Sequence, residues 1–281
     1  MSSSKSVVMF ACATLLATTF SFLACGRAGP DASDDTKAAS ADKDPAPTKE
    51  SSEQSPAVGG DVTADSKTTG TITGVVHYKG AKPTIKPLVV PKDHRDSKTC
   101  GMEIPYERHV LGPKNELANA VVSLSSDKLP KGKPRTIQID NVKCRFVPHV
   151  QAATVRSELL VTSKDAVLHT AMGFMPGTSW GMNIAIPNPK STVKKRLGPK
   201  EGWILFNCST HAWMRAHVKV FKHDFYAVTG PDGRFKLSGV PPGDYTLEIW
   251  HETNPLGAQK AKVSVKASEN TPVSLTLEAK T

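Results

Sequence analysis

Between residues 71 and 281 no stretch sustains a helical repeat of apolar side chains beyond two or three turns, which leaves short strands as the building unit. Alternating runs recur instead, among them TITGVVHY, NAVVSL, TIQIDNV, ELLVTS, NIAI, GWILFNC, HVKVF, RFKLSGV, YTLEIWH, AKVSVK and VSLTLE. Successive side chains of a strand point to opposite faces, so each run offers one apolar face to a core and one polar face to water. Turn chemistry separates the runs. GPDGR at 230–234 and VPPGDY at 240–245 put proline where φ is fixed negative and glycine where a reversal wants φ positive. The expected fold class is all-β, built as two β-sandwiches.

The first 70 residues read differently. MSSSKS carries one Lys, and residues 7–24 form an uncharged apolar run that ends in small residues before Cys25. This is the layout of a signal peptide over 1–24; the run is also just long enough to span a bilayer, so an uncleaved anchor is the alternative. FLACG at 22–26 resembles a bacterial lipobox, which implies lipidation of Cys25 and attachment to a membrane through the N-terminal lipid, with Phe22 where Leu is usual. Residues 25–70 are Ala, Ser, Asp, Lys, Thr and Pro with almost no large apolar side chain, a composition that cannot bury enough surface to fold. As a flexible coil this tether would span roughly 35 to 40 Å. The expected location is the cell envelope, facing the periplasm or on the outer membrane.

Charge is uneven. Residues 71–281 hold 30 Lys and Arg against 17 Asp and Glu, a net of +13. The basic residues are scattered and not interleaved with stacking aromatics, so no nucleic-acid partner is expected; an acidic protein partner fits better. No nucleophile, base and orienting group assemble at a credible spacing, and no enzyme is expected.

The cysteines carry the chemical signal. Cys12 leaves with the signal peptide and Cys25 would carry lipid, leaving Cys100, Cys144 and Cys208. In an oxidising compartment two of these can pair, and the third needs a reason. Cys100 and Cys144 are the disulfide candidate, which would staple the DSKTCG loop to the later domain. Cys208 lies in CSTHAWM at 208–214, between the strands expected at 203–207 and 217–221. Cupric and cuprous ions share few preferences, and a site serving both combines two imidazoles, a thiolate and a weak axial thioether. Cys208, His211 and Met214 supply three of these, and His169, after the run ELLVTSKDAVL, is the upstream imidazole. Zinc favours an even tetrahedron without a long thioether bond, so copper is preferred. The other reading has Cys208, His211 and Met214 filling space at a strand end. There is no C-x-x-C and no H-E-x-x-H, which excludes c-type haem attachment and the helical zinc-protease motif.

Two family resemblances follow from these segments. YAVTGPDGRFKLSGVPPGDYTLEIWHE at 226–252, with GTITGVVHYKGAKP and LANAVVSL before it, resembles the carboxypeptidase regulatory-like sandwich. IQIDNVKCRFVP, ELLVTSKDAVLHT and WILFNCSTHAWMRAHVKV resemble the cupredoxins, the small blue-copper sandwiches. Together they imply a Greek-key cupredoxin domain over 125–223 inserted in, or lying beside, a regulatory-like sandwich formed by 71–124 and 224–281. The cupredoxin resemblance implies copper held by His169, Cys208, His211 and Met214, and an electron exit at His211 and Trp213 near the surface. Thr170 stands where family members often have Asn. His149, in the corner CRFVPHV, is either an additional ligand or a hydrogen-bonded structural residue. His77, His94, His109, His217 and His223 are expected at the surface or core edge, and Trp250 in the core of the outer sandwich. The function implied is one-electron transfer with an acidic redox partner such as a cytochrome or oxidoreductase. Copper capture or delivery, and an envelope binding module acting through the outer sandwich, are the alternatives.

Overall fold

The computed structural model describes residues 67–82, 84, 86–253 and 259–278. The signal peptide, Cys25 and almost all of the tether lie outside the described residues. Strand β1 (Gly70–Lys79) leads into a long excursion that holds β2 (Leu88–Val89), the one-turn helix α1 (Ser97–Cys100) and β3 (Glu103–Ile104), and then into β4 (Val121–Ser125). Nine strands follow: β5 (Thr136–Asn141), β6 (Phe146–Val147), β7 (Val150–Thr154), β8 (Glu158–Ser163), β9 (His169–Phe174), β10 (Gly181–Ile186), β11 (Thr192–Arg196), β12 (Gly202–Asn207) and β13 (Arg215–Phe221). The chain closes with β14 (Tyr226–Val228), β15 (Arg234–Val240), β16 (Gly243–Trp250), β17 (Gln259–Val265) and β18 (Asn270–Glu278). The class is all-β, as the alternating runs predict.

Sheets β15-β1-β18 and β14-β4-β16-β17 enclose one core, formed by Ile72, Leu124, Phe235, Leu247 and Leu277 among others. Sheets β10-β9-β12-β13-β7 and β11-β8-β5-β6 enclose a second, with Phe146, Leu159, Ile186, Ile204 and Phe206 at its centre. Each of these side chains contributes roughly 1.5 to 3 kcal/mol by leaving water. β4 and β14, which bracket β5 to β13 in the chain, pair antiparallel with Val121 opposite Val228 and Ser123 opposite Tyr226. The outer sheet thus zips together the two ends of the inner unit, and an insertion of this length leaves the outer register undisturbed. The GPDGR turn before β15 places Gly233 at φ 66°. A Cβ there would stand 2.7 Å from the carbonyl oxygen of Val76, so both conformation and space call for glycine.

Two expectations are corrected. The excursion between β1 and β4 does not belong to the outer core throughout: Val90, Cys100 and Ile104 are buried in the inner one. The Cys100–Cys144 disulfide fastens the excursion there, across 44 residues of sequence. Trp250 does not fill the outer core. It packs in a third cluster with Val121, Val150, Phe221, Tyr226 and Val228, and its ring lies 3.6 Å, centroid to centroid, from that of Trp203. Its neighbour Ile249 is buried in the outer core, and the alternation of β16 turns Trp250 to the opposite face, where it covers the seam between the two sandwiches.

Candidate metal centre

β12 and β13 pair up to Asn207 opposite Arg215, which makes CSTHAWM a hairpin loop pinned at both ends. Inside it the Met214 amide donates to the His211 carbonyl at 3.0 Å and tightens the last turn. β12 also pairs with β9, Asn207 opposite Met172, so the start of β9 is brought beside the loop. His169 is the first residue of β9 and takes the inward side of its alternation, followed by Ala171 and Gly173.

This pairing brings together one donor atom each from His169, Cys208 and His211, all within 4.8 Å of one another. Both imidazoles are completely buried, and Cys208, a free cysteine, is nearly so. The Cys208 Sγ stands 3.8 Å from His211 Nδ1. Met214 is buried in the same core as Cys208. His149 is not part of this group; it lies in a separate cluster with His217 and Glu252.

The supporting contacts come from residues the motif did not indicate. His169 donates from Nε2 to Asp165 Oδ2 at 3.0 Å, and Asp165 also accepts from the amides of Lys143 and Cys144 at 2.7 and 2.8 Å. One carboxylate therefore fixes both the imidazole and the turn carrying the disulfide. His211 donates from Nε2 to Asp96 Oδ2 at 3.1 Å. Asp96 precedes α1 in the excursion, and His94 from the same segment lies with its ring 5.7 Å from that of His211. The cysteine sulphur receives the Thr170 amide at 3.4 Å, and the Thr170 hydroxyl, 3.7 Å from the sulphur, also holds Ser209. Threonine at this position thus provides the backbone bond to sulphur and ties the two ligand-bearing segments together through its hydroxyl.

Electrostatics favour an ionised thiol. Burial would push the Cys208 thiol up, but the neighbouring His169 and His211 imidazoles and the Thr170 amide outweigh it and bring it down to about 4. Burial would likewise lower His169, but the Asp165 carboxylate and the Cys208 sulphur raise it to about 9. Both shifts favour the thiolate–imidazolium form of the metal-free pair. His169 Nδ1, the nitrogen not taken by Asp165, is buried with no hydrogen-bond partner. An orphaned imidazole nitrogen buried beside a cysteine sulphur and a second imidazole is what a thiophilic metal ion would satisfy. The residues present fit copper.

The expectation of His211 at the surface is corrected: the residue is 0 % exposed. The excursion lies over it through Asp96 and His94, and the Sγ atoms of Cys100 and Cys144 lie within 4.8 Å of one of its ring nitrogens. Trp213 keeps partial exposure; its ring is 5.1 Å from His211 and 5.4 Å from His94, and its Nε1 donates to the Cys144 carbonyl at 3.0 Å. A polar stretch such as DHRD at 93–96 looks like an ordinary loop in sequence, and nothing in its spacing pointed to a site so far along the chain.

No protein-family model matches the chain, and no curated protein matches it in sequence. Among solved structures it is similar over part of its length to a Cu-containing nitrite reductase from Thermus scotoductus SA-01, at 16 % identity and TM-score 0.27, covering 35 % of this chain and 25 % of that one. A purple cupredoxin from Nitrosopumilus maritimus gives 19 % identity and TM-score 0.26 over 30 % of this chain and 98 % of that one. An oxidized mutant of amicyanin gives 15 % identity and TM-score 0.28, covering 36 % of this chain and 98 % of that one. The chain spans a quarter of the nitrite reductase's length.

Proposed function

We propose that this protein is an envelope-tethered one-electron carrier of the cupredoxin type, with a type 1 copper centre held by His169, Cys208 and His211 and an axial thioether from Met214. The observation that carries this reading is the convergence of two buried imidazoles and a buried free cysteine, with one imidazole nitrogen unpartnered. Copper bound there supplies a Cu(II)/Cu(I) couple.

The chain's own residues do the rest. With the Cys208 thiol lowered to about 4 and His169 raised to about 9, the proton released on loading at neutral pH comes from the His169 ring and not from the thiol. Asp165 and Asp96 fix the two rings from behind, so little ligand movement need accompany a change of redox state. Burial keeps water and other thiols away from the sulphur. With His211 covered, Trp213 and His94, whose rings pack against it, offer a side-chain route outward. The net +13 of residues 71–281 steers an acidic redox partner; electron transfer to such a partner is expected to slow steeply with added salt, and a rate indifferent to salt would refute that partner. Lipidation at Cys25 and the tether of 25–70 would keep the domain at the membrane while letting it reach that partner.

The disulfide-fastened cover over His211 favours a resident ion over delivery, because a delivery site must open to its recipient. The testing experiment is the visible spectrum of the Cu(II)-loaded protein beside Cys208→Ser. An intense band near about 600 nm that the variant lacks is expected from thiolate-to-copper charge transfer. A colourless wild type would overturn the proposal.

A further inference from the structure

A second group of metal-binding side chains lies at the seam between the sandwiches. His149, His217 and Glu252 each place a donor atom within 4.8 Å of the other two. His149 comes immediately before β7 and His217 sits within β13. These strands run parallel, and the His217 amide donates to the His149 carbonyl at 2.9 Å, so the two imidazoles are held on adjacent strands. Glu252 follows β16 and comes from the outer sandwich. Both Nε2 atoms face its carboxylate, His149 at 2.5 Å from Oε1 and His217 at 3.4 Å from Oε2.

The tautomer of His149 is informative. Its Nδ1 lies 3.0 Å from the Arg215 carbonyl, and an acceptor there requires the Nδ1 proton. In the neutral ring Nε2 is then a lone pair, pressed against a carboxylate oxygen at 2.5 Å. At this separation the positive charge between them is a proton; a metal ion would replace that proton and move the two groups apart, since metal–nitrogen and metal–oxygen bonds are each about 2 Å long. An imidazole whose Nδ1–H is fixed by a backbone carbonyl while Nε2 points at a shared centre has the arrangement of a metal ligand. The surroundings supply further donors and charges. Glu107 Oε2 is 3.7 Å from His149 Nδ1 and is itself paired with Arg145, while the half-exposed Arg108 reaches Glu252 Oε2 at 3.4 Å. Next along the chain, His251 is completely buried with Nε2 unpartnered, and His109, whose ring is 6.2 Å from it, has an unpartnered buried Nδ1.

We infer that His149, His217 and Glu252 form a second metal site, distinct from the Cys208 centre, that binds a zinc-type divalent cation and cross-links the two sandwiches. Two imidazoles and one carboxylate suit a borderline divalent ion, and the absence of sulphur separates this site from a cuprous one. Its position explains why a Glu of the outer sandwich is buried among imidazoles of the inner one.

The test is calorimetric titration of Zn2+ into the purified full chain and into the Cys208→Ser, Glu252→Gln and His217→Gln variants. Expected is a Zn2+ site that persists in Cys208→Ser, where the other centre lacks its thiolate, within about 3-fold of its affinity in the full chain, and that weakens at least about 100-fold in the other two, as loss of a ligand requires. Near-ultraviolet circular dichroism checks that each variant keeps its packing. Should Glu252→Gln fail to fold, His217→Gln alone carries the comparison, since His217 lies partly exposed at the seam. Absence of Zn2+ binding, or binding lost in Cys208→Ser and unchanged in His217→Gln, would overturn the site and leave a hydrogen-bonded seam.

Discussion

In the metal-free protein the buried Cys208–His169 pair should give folding stability a pH profile of distinctive shape. The folded Cys208 thiol sits at about 4 against an ordinary 9.0, so its contribution is complete above 9.0 and is lost as pH falls through about 4. His169 runs the opposite way: held at about 9 against 6.5, it contributes fully below 6.5 and nothing once pH has risen through about 9. Between about 4 and 6.5 the unfolded chain therefore binds one proton more than the folded one, and stability climbs with pH. Between 6.5 and about 9 the unfolded chain keeps the thiol proton and the folded chain keeps the imidazole proton, so the counts match and this pair adds no slope. At about 1.4 kcal/mol per pH unit, the climb amounts to on the order of 3 kcal/mol. The assay is anaerobic urea unfolding of the metal-free protein at intervals from pH 4 to 9, beside Cys208→Ser. The variant cannot form the thiolate and should lack that climb, whereas carboxylates elsewhere act on both proteins alike. Equal slopes in the two proteins below pH 6.5, or a wild-type gain appearing only near pH 9, would refute the thiolate–imidazolium assignment.

Further outcomes follow from the contacts around the centre. Replacing both Cys100 and Cys144 by Ser opens a loop across 44 residues of sequence, which should cost about 4 kcal/mol on the chain-entropy account; urea midpoints of the oxidised wild type and the double variant measure it, and no change would show that the cover is held by packing alone. Asp96→Asn removes the carboxylate behind His211 Nε2, and should weaken copper retention about 10- to 100-fold against a competing chelator while the visible band persists; loss of the band would make Asp96 more than a positioning residue. Trp203→Ala and Trp250→Ala should each destabilise by about 3 kcal/mol, with a coupling near about 1 kcal/mol in a double-mutant cycle; strict additivity would deny the ring contact across the seam.

What the sequence determined is local. Alternation of side chains fixed the all-β class, because a strand's two faces are written every second residue. The C-x2-H-x2-M loop was legible because three donors sit within seven residues, and the cysteine count left Cys208 needing a metal or a partner. Tertiary structure decided what surrounds those donors. Asp165 could not be told from any loop aspartate until His169 and the 143–144 turn met on it. Asp96 reaches His211 from 115 residues away, and Glu252 reaches His149 from 103 away. Both contacts exist because two strand systems are nested, and sequence spacing carries no trace of which loop of one lands on which strand of the other. The same nesting buries His211, which its motif alone would place at the surface, and turns scattered histidines expected at edges into the seam cluster.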